Sequence, residues 1–305
     1  MNIKILNKAV YTYSIFAIFC TALLTTISTA AQADVSPPRI KIETKPGKKV
    51  PFSINIKNKN KERRSYQISY SHYTQDTDGY QNEVKVTSDE QKGPWDWIKL
   101  DNQIKPGVRF NIESKESLAL SGIIEVPRRH SKSIGFYNIM VNVTEFAARQ
   151  RESGVTLNYA SASIIELTVT GPKRRPKYLI ENIDINLDKE AQSSQVSLEF
   201  TNQTPYKGRL FLEMQLRLNK RLIAKIPLLT NEADNSNRLY SSIFPKNLVK
   251  LTGQTDKTLP PGEYDMRISG KFKDTRLRTF KESITIGTEG TPIAEEAPAE
   301  QTAAN

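Results

Sequence analysis

The sequence of 305 residues is poor in the side chains that most enzymes use for chemistry: it has one Cys, two His and two Trp. A Ser-His-Asp triad would have to use His72 or His130, and neither lies in a recognisable nucleophile motif. A zinc cage built from His and Cys lacks enough ligands. A carboxylate-only active site stays open, but the composition favours a binding protein, and we expect no enzymatic activity, no cofactor and no metal.

Residues 1–33 have the features of a secretory signal peptide. Lys4 and Lys8 form a positive n-region, Ile15–Leu24 is an apolar run, and Ala31-Gln32-Ala33 matches the small-x-small cleavage pattern. The apolar run is shorter than the ~20 residues that cross a bilayer. We therefore expect cleavage before Asp34, a periplasmic product, and a mature chain with no Cys and no membrane span.

The chain is basic, with 44 Lys+Arg against 33 Asp+Glu and a net charge of +11. One cluster of cations could attract nucleic acid or an anionic surface: Lys57, Lys59, Lys61, Arg63 and Arg64. It lacks the interleaved aromatic residues of a base-stacking platform. Because the protein is expected to be exported, we predict no nucleic-acid partner.

Apolar and polar residues alternate throughout the region between Asp34 and Gly287, as in Phe52/Ile54/Ile56 and Ile165/Leu167/Val169. This period of two is typical of half-buried antiparallel strands. Turn sequences such as Lys105-Pro106-Gly107 separate the runs. Short strands with frequent turns predict an all-β protein of tandem immunoglobulin-like sandwiches.

The basic, proline-flanked segment 172–177 divides the chain into two predicted domains. Its prolines oppose strand pairing and its charges favour water. Residues 34–171 would form the first immunoglobulin-like domain and residues 178–287 the second. Residues 288–305 are rich in Ala, Pro, Glu and Thr and contain no Lys or Arg. This composition predicts a disordered acidic tail.

The first domain resembles the periplasmic pilus-assembly chaperones of the PapD type. The resemblance is carried by the opening Val35-Ser36-Pro37-Pro38-Arg39-Ile40, by Gly135-Phe136-Tyr137-Asn138-Ile139, and by the alternating run Val155–Val169. The second domain fits only as a generic immunoglobulin-like sandwich. The two-domain layout is also similar to the WxL-interacting surface proteins of Gram-positive bacteria, which usually continue into a transmembrane helix not predicted here.

The resemblance implies that the last strand of the first domain donates apolar side chains to a client subunit that lacks a strand. Val155, Leu157 and Tyr159 have the same parity as Ile165, Leu167 and Val169. In one continuous strand both sets would lie on the same face. The second set can fill the domain core, which leaves the first set for a client. An ordinary edge strand or hairpin arm is the alternative interpretation.

The resemblance also implies an anchor for the client's terminal carboxylate, made by an Arg on the first strand and a Lys on the last. Arg39 occupies the first place, and a guanidinium can bind a carboxylate in bidentate fashion. The Lys is missing, because Ser161-Ala162-Ser163-Ile164-Ile165-Glu166 contains no cation. Lys41, two residues beyond Arg39 on the same face, is the substitute we predict. The alternative is that Arg39 is a solvated charge at a strand edge.

Trp95 and Trp97 offer a weaker candidate site. Two tryptophans with one residue between them could stack on a sugar, and on a strand they would face the same way. We interpret one or both of them as core anchors, because a buried Trp contributes a large apolar area.

These patterns favour a non-enzymatic periplasmic chaperone, or assembly factor, for surface-fibre (pilus) subunits. Its partners would be small β-rich subunits and an outer-membrane usher. The alternative function is an exported two-domain binding module that recognises a cell-envelope component or a surface protein.

Cleavage of the predicted signal peptide can be tested by the mass of the exported protein. The exported protein should begin at Asp34, and an intact-mass measurement should give a mass that lacks residues 1–33. A mass that retains these residues, or a lipid adduct on Cys20, would contradict this prediction.

Overall fold

The computed structural model describes residues 34–86, 93–101, 104–128, 133–146, 158–172, 175–188, 193–287 and 292–293. The first sandwich contains β1 (Asp34–Ser36), β2 (Arg39–Thr44), β3 (Lys49–Lys57), β4 (Arg64–Gln75), β5 (Gln81–Lys85), β6 (Ile98–Leu100), β7 (Arg109–Ile112), β8 (Ser117–Glu125), β9 (Gly135–Phe146) and β10 (Tyr159–Val169). A 3-10 helix at Pro94–Trp97 precedes β6.

The second sandwich contains β11 (Tyr178–Asp188), β12 (Ser193–Asn202), β13 (Gly208–Leu218), β14 (Arg221–Leu228), β15 (Ser241–Ile243), β16 (Leu248–Thr255), β17 (Gly262–Phe272), β18 (Thr275–Arg276), β19 (Phe280–Ile286) and β20 (Pro292–Ile293). A short helix, α1 (Asn231–Asn235), follows β14. The strand β20 lies within the predicted tail; residues 288–291 and 294–305 lie outside the described residues.

Each sandwich packs two sheets against each other. In the first, the order β1-β3-β8-β6 faces the order β2-β10-β9-β4-β5, with β7 also paired to β4. In the second, β11-β12-β16 faces β14-β13-β17-β19-β20, with β15 paired to β13 and β18 to β17. The predicted all-β fold of tandem immunoglobulin-like sandwiches is confirmed.

The period-two pattern places alternate side chains in the two cores. Along β3, Phe52, Ile54 and Ile56 are buried and the residues between them are exposed. Leu198 and Phe200 on β12 are buried in the second core. Since burying such a side chain contributes about 1.5–3 kcal/mol, these alternating positions supply most of the stabilisation of each sandwich. Among the residues described, no helix is long and apolar enough to cross a bilayer.

The same asparagine turn occurs in both sandwiches, after β3 and at the end of β12. Asn58 and Asn202 are both buried, and each side-chain amide donates at 2.8–3.0 Å to one backbone carbonyl of its own loop and to one of a segment distant in sequence, Ile112 for Asn58 and Phe244 for Asn202. Each side-chain oxygen accepts from the backbone N–H two residues later, at Asn60 and Thr204. Buried polar groups need such partners, so these two positions require asparagine for a structural reason.

Gln75, the last residue of β4, joins the two sandwiches. Its side chain is buried, its Nε2 donates to the carbonyl of Ser242 at 2.6 Å, and its Oε1 accepts from the backbone N–H of Phe244 at 2.8 Å. The β4–β5 turn adds two contacts, since the N–H of Lys250 donates to the carbonyl of Thr77 and that of Glu232 to the carbonyl of Asp78. The β4–β5 hairpin is therefore one place where the two sandwiches are hydrogen-bonded; another is the N–H of Phe136, which donates to the carbonyl of Pro205 at 2.8 Å.

This junction can be tested by removing the amide of Gln75. Gln75→Ala should lower the free energy of unfolding by about 1–3 kcal/mol, because it leaves buried backbone groups of Ser242 and Phe244 without partners. Urea denaturation measures the change. The neighbouring variant Thr74→Ala, at an exposed position, should stay within about 0.5 kcal/mol of wild type. Equal stability of both variants would contradict this account of the junction.

Candidate functional site

The site lies around β10, which has a different neighbour on each side. It pairs antiparallel with β9 without a register shift, from Tyr159 opposite Glu145 to Val169 opposite Gly135. On its other side it pairs in parallel with β2, but only from Ile164 to Val169. The described residues of β10 before Ile164 therefore lie beyond the part covered by β2.

The regular register of β10 decides which of its side chains share a face. Ser163, Ile165, Leu167 and Val169 are buried. Tyr159 has the same parity and is half-buried, so it lies on the face that also supplies the core. Val155 and Leu157, the other two residues predicted for strand donation, lie outside the described residues.

The start of β2 is determined by a crossing of the chain between the two sheets. β1 pairs with β3 in one sheet, whereas β2 pairs with β10 in the other. The hydroxyl of Ser163 donates to the carbonyl of Pro37 at 2.7 Å, and the N–H of Ile164 donates to the carbonyl of Pro38 at 2.9 Å. These bonds place Arg39 directly opposite Ile164. Arg39 is thus the first residue of the second strand, whereas the resemblance implied an Arg on the first strand.

Arg39 and Lys41 are exposed and line a cleft of about 820 Å³ between the two sandwiches, which we call the interdomain cleft. The described lining includes six cationic side chains but only two acidic ones, Glu166 and Asp274. The cations are Arg39, Lys41, Lys207, Arg209, Arg238 and Lys273. Like charges held this close repel one another, so the cleft is a favourable environment for an anion.

The cations of the lining differ in whether they form ion pairs: Arg238 lies 3.1 Å from Glu232, and Lys207 lies 3.3 Å from Glu166. Among the described residues, neither Arg39 nor Lys41 forms an ion pair within 4.0 Å. Arg209 lies over the ring of Tyr240 at 4.7 Å, a cation–π contact that leaves its charge uncompensated. The guanidinium of Arg39 is thus available for a bidentate carboxylate contact.

The second sandwich supplies four of the six cations, and sequence reasoning missed all four: Lys207, Arg209, Arg238 and Lys273. The only signal in the sequence is Lys207-Gly208-Arg209, which follows the turn residues Asn202–Pro205 after one further residue. A pair of cations after a turn is common on protein surfaces, and nothing in the spacing indicates that they face Arg39.

A buried carboxylate lies beside the start of β10. Glu145, opposite Tyr159, is only 4% exposed, and its Oε1 accepts from the side-chain amide of Asn60 at 2.7 Å. The guanidinium Nε of Arg64 lies 3.8 Å away. Burial raises the pKa of Glu145, while the Asn60 hydrogen bond and the charge of Arg64 oppose the rise.

The two tryptophans do not lie on a strand. They belong to the 3-10 helix Pro94–Trp97, which corrects the prediction that they project from a strand. Trp97 contacts Tyr137 edge-on at 4.9 Å, and Trp95 stacks on His72 at 5.3 Å. Both are partly buried against the core of the first sandwich. The Gly93-Pro94 opening explains the difference, because Pro favours the first turn of a helix.

The predicted basic cluster is largely paired with acids. Lys59 lies 3.0 Å from Asp34, and Arg63 lies 3.2 Å from Glu113. These exposed pairs contribute little to stability, but they reduce the positive field of this surface. In the part of the chain that the structure covers, no group of three or more His, Cys, Asp or Glu side chains could hold a metal ion.

Neither a known family model nor a curated protein matches the chain. Solved structures do match, including the E. coli chaperone DraB (11% identity, 83% of this chain, 98% of that chain, TM-score 0.36). The CsuC-CsuE chaperone–tip adhesion subunit complex of Acinetobacter baumannii matches with 12% identity over 82% of this chain and 98% of that chain, at a TM-score of 0.38.

A chaperone–tip adhesin complex of CFA/I fimbriae biogenesis matches with 12% identity over 83% of this chain and 98% of that chain, at a TM-score of 0.42. All three matches cover more than four fifths of this chain. TM-scores of this size assign no function.

The buried carboxylate predicts a pH-dependent stability. Because the folded-state pKa of Glu145 is raised, its ionised form is disfavoured in the fold, and stability is lost as the pH rises through the raised pKa. Glu145→Gln stays neutral and retains an acceptor for Asn60. It should raise the melting temperature at pH 7, with a smaller difference near pH 4.

Glu125→Gln is the matched control, because the hydrogen bond and charge of Lys49 lower the pKa of Glu125. This variant should not raise the melting temperature at pH 7. An equal rise for both variants would contradict the role assigned to the burial of Glu145.

Proposed function

We propose that this protein is a non-enzymatic chaperone for subunits of surface fibres and that it acts in the periplasm after export. Its clients would be small β-rich subunits that lack a strand, and the finished subunits would pass to an outer-membrane usher. The observation that carries the proposal is the partial cover of β10 by β2, which begins at Arg39, beside the interdomain cleft.

The partial cover suggests how a client strand would bind. β9 orders β10 along its whole length, whereas β2 accompanies it only from Ile164 onward. A client sheet could extend along the part of β10 that precedes Ile164. Backbone hydrogen bonds would supply affinity, and pockets for alternate side chains would set the register.

The side chains for those pockets would be Val155, Leu157 and Tyr159. Of these, Tyr159 is described and already lies on the core-facing side of β10. Between Tyr159 and Ile164 the strand carries only Ala and Ser. The large apolar side chains needed to fill a client groove therefore have to come from Val155 and Leu157.

The interdomain cleft would bind the terminal carboxylate of the client. Arg39 and Lys41 alternate along β2 and are both exposed towards the cleft. A client carboxylate bound by Arg39, with Lys41 beside it, would fix the position of the client strand along β10. The charge-assisted hydrogen bonds of a bidentate Arg–carboxylate contact are stronger than neutral ones.

The proposal is tested by introducing a charge into the donated segment. Leu157→Asp should abolish client capture, because an unpaired carboxylate in an apolar groove costs several kcal/mol. Stability should change by less than about 1 kcal/mol if the position faces a client and not the protein's own core. Thermal melting and a periplasmic pull-down, with the captured proteins identified by mass spectrometry, provide the two measurements.

Leu167→Asp is the matched control, since Leu167 has the same parity on β10 but is fully buried. It should unfold the first sandwich. If Leu157→Asp also melts far below wild type while client binding by the folded fraction is normal, Leu157 belongs to the protein's own core. Co-purification of envelope material in place of β-rich subunits would favour the binding-module function.

A further inference from the structure

An ion pair crosses the interdomain cleft. Nζ of Lys207, just before β13 in the second sandwich, lies 3.3 Å from Oε1 of Glu166 on β10 in the first. The two side chains are only 23% and 14% exposed. The ammonium group also lies 5.2 Å and 4.9 Å from the ring centroids of Phe136 and Phe244. Lys207 is thus held at the junction of the two sandwiches.

This ion pair lies beside the proposed carboxylate anchor. In the parallel ladder Glu166 is the neighbour of Lys41, and Arg39 lies two residues before Lys41 on the same face. Burial lowers the pKa of Lys207, the charge of Glu166 opposes this, and the charges of Arg39 and Lys41 lower it further. The four groups are therefore close enough to act as one electrostatic unit.

Among these four groups, Glu166 is the one whose charge opposes the binding of an anion in the cleft. Its carboxylate lies on β10 next to the two cations of β2, where it repels a second carboxylate. Lys207 approaches from the other wall and offsets that charge. Since Lys207 also lines the open cleft, its three N–H donors need not all point to Glu166.

We propose that Lys207 is the second cation of the carboxylate anchor, and that Glu166 is a resident carboxylate with which an incoming client carboxylate competes. This inference rests on the proposed function, because it assigns further residues to the same anchor. A client end would then be held by cations from both sandwiches. Glu166 keeps Lys207 in place when the cleft is empty and weakens the binding of any anion that enters.

The test uses a small probe in place of the client. N-acetylalanine carries one free carboxylate, and N-acetylalaninamide differs from it only by lacking that charge. Binding to the full mature chain is followed by NMR titration at low ionic strength, where screening is weak. The carboxylate should bind in the millimolar range and the amide should not.

Two variants should shift this binding in opposite directions. Lys207→Gln should weaken carboxylate binding about fivefold to tenfold, because it removes a charge-assisted donor. Glu166→Gln should strengthen binding by a similar factor, because it removes the competing carboxylate. Lys225→Gln and Glu213→Gln are the controls, since their ion pair of 2.9 Å joins β14 to β13 and neither residue belongs to the cleft lining. They should leave the affinity unchanged.

Opposite changes in affinity for Lys207→Gln and Glu166→Gln distinguish a carboxylate anchor from an ion pair that serves only to hold the two sandwiches together. A bridge that only holds the sandwiches together would be broken equally by either variant, and both would change binding in the same direction. That result, or an unchanged affinity for either Lys207→Gln or Glu166→Gln, overturns the inference. Melting curves of both variants show whether the fold is retained.

Arg39→Gln distinguishes this inference from the proposed function. If Arg39→Gln abolishes carboxylate binding while Lys207→Gln does not weaken it, the inference is wrong and the Arg39 anchor stands. If the wild-type protein shows no binding of N-acetylalanine at concentrations up to about 50 mM, both the anchor and the inference fail. Strand donation is still tested separately, through Leu157→Asp.

Discussion

The buried amide of Gln75 is a central contact between the two sandwiches, which are also joined through Phe136 and Pro205. It donates to one backbone group of the second sandwich and accepts from another, and it is shielded from water. Hydrogen bonds of this kind have a directional requirement that apolar packing lacks. The hairpin that follows Gln75 adds backbone contacts beside α1 and β16. Because this junction fixes one sandwich relative to the other, cations from both can line one cleft.

The parallel pairing of β2 with β10 is the second constraint. The chain leaves one sheet after β1 and joins the other at Arg39, so a single crossing decides both where β10 is covered and where the first cation of the cleft lies. Had β2 begun several residues earlier in the ladder, it would have covered all of the described part of β10. The position available to a client strand and the position of its anchor are therefore consequences of the same crossing.

The electrostatics of the cleft follow from these two constraints. Cations on β2 and around β13 meet where the sandwiches adjoin, and the carboxylate of Glu166 lies between them with Lys207 as its partner. Partial burial strengthens each of these interactions relative to water. Six cations line the cleft against two acids, and although Arg238 also pairs with Glu232, the remaining excess of positive charge favours an anion, which is the physical basis of both proposals.

Local sequence patterns are sufficient to identify most of the strands and the faces that they bury. Alternation of apolar and polar residues identified the strands, as in β3 and β10, because the side-chain period of a strand is a local property of the backbone. The turns at Asn58 and Asn202 are local only in part, since each side-chain oxygen accepts from the N–H two residues later while each amide also donates to a distant segment. At Trp95 and Trp97 two local signals compete: the spacing of two residues favours a strand, whereas Pro94 favours the first turn of a helix, which is the structure that forms.

Which charges lie close together depends on tertiary packing. Arg39, Glu166 and Lys207 lie far apart along the chain, and no local pattern links them. They come together because buried contacts between strands and between sandwiches, such as those of Gln75, set the position of each backbone segment. Surface charges contribute little to choosing a fold. Their meeting in one cleft is therefore a result of packing elsewhere in the molecule, and it becomes visible only when that packing is known.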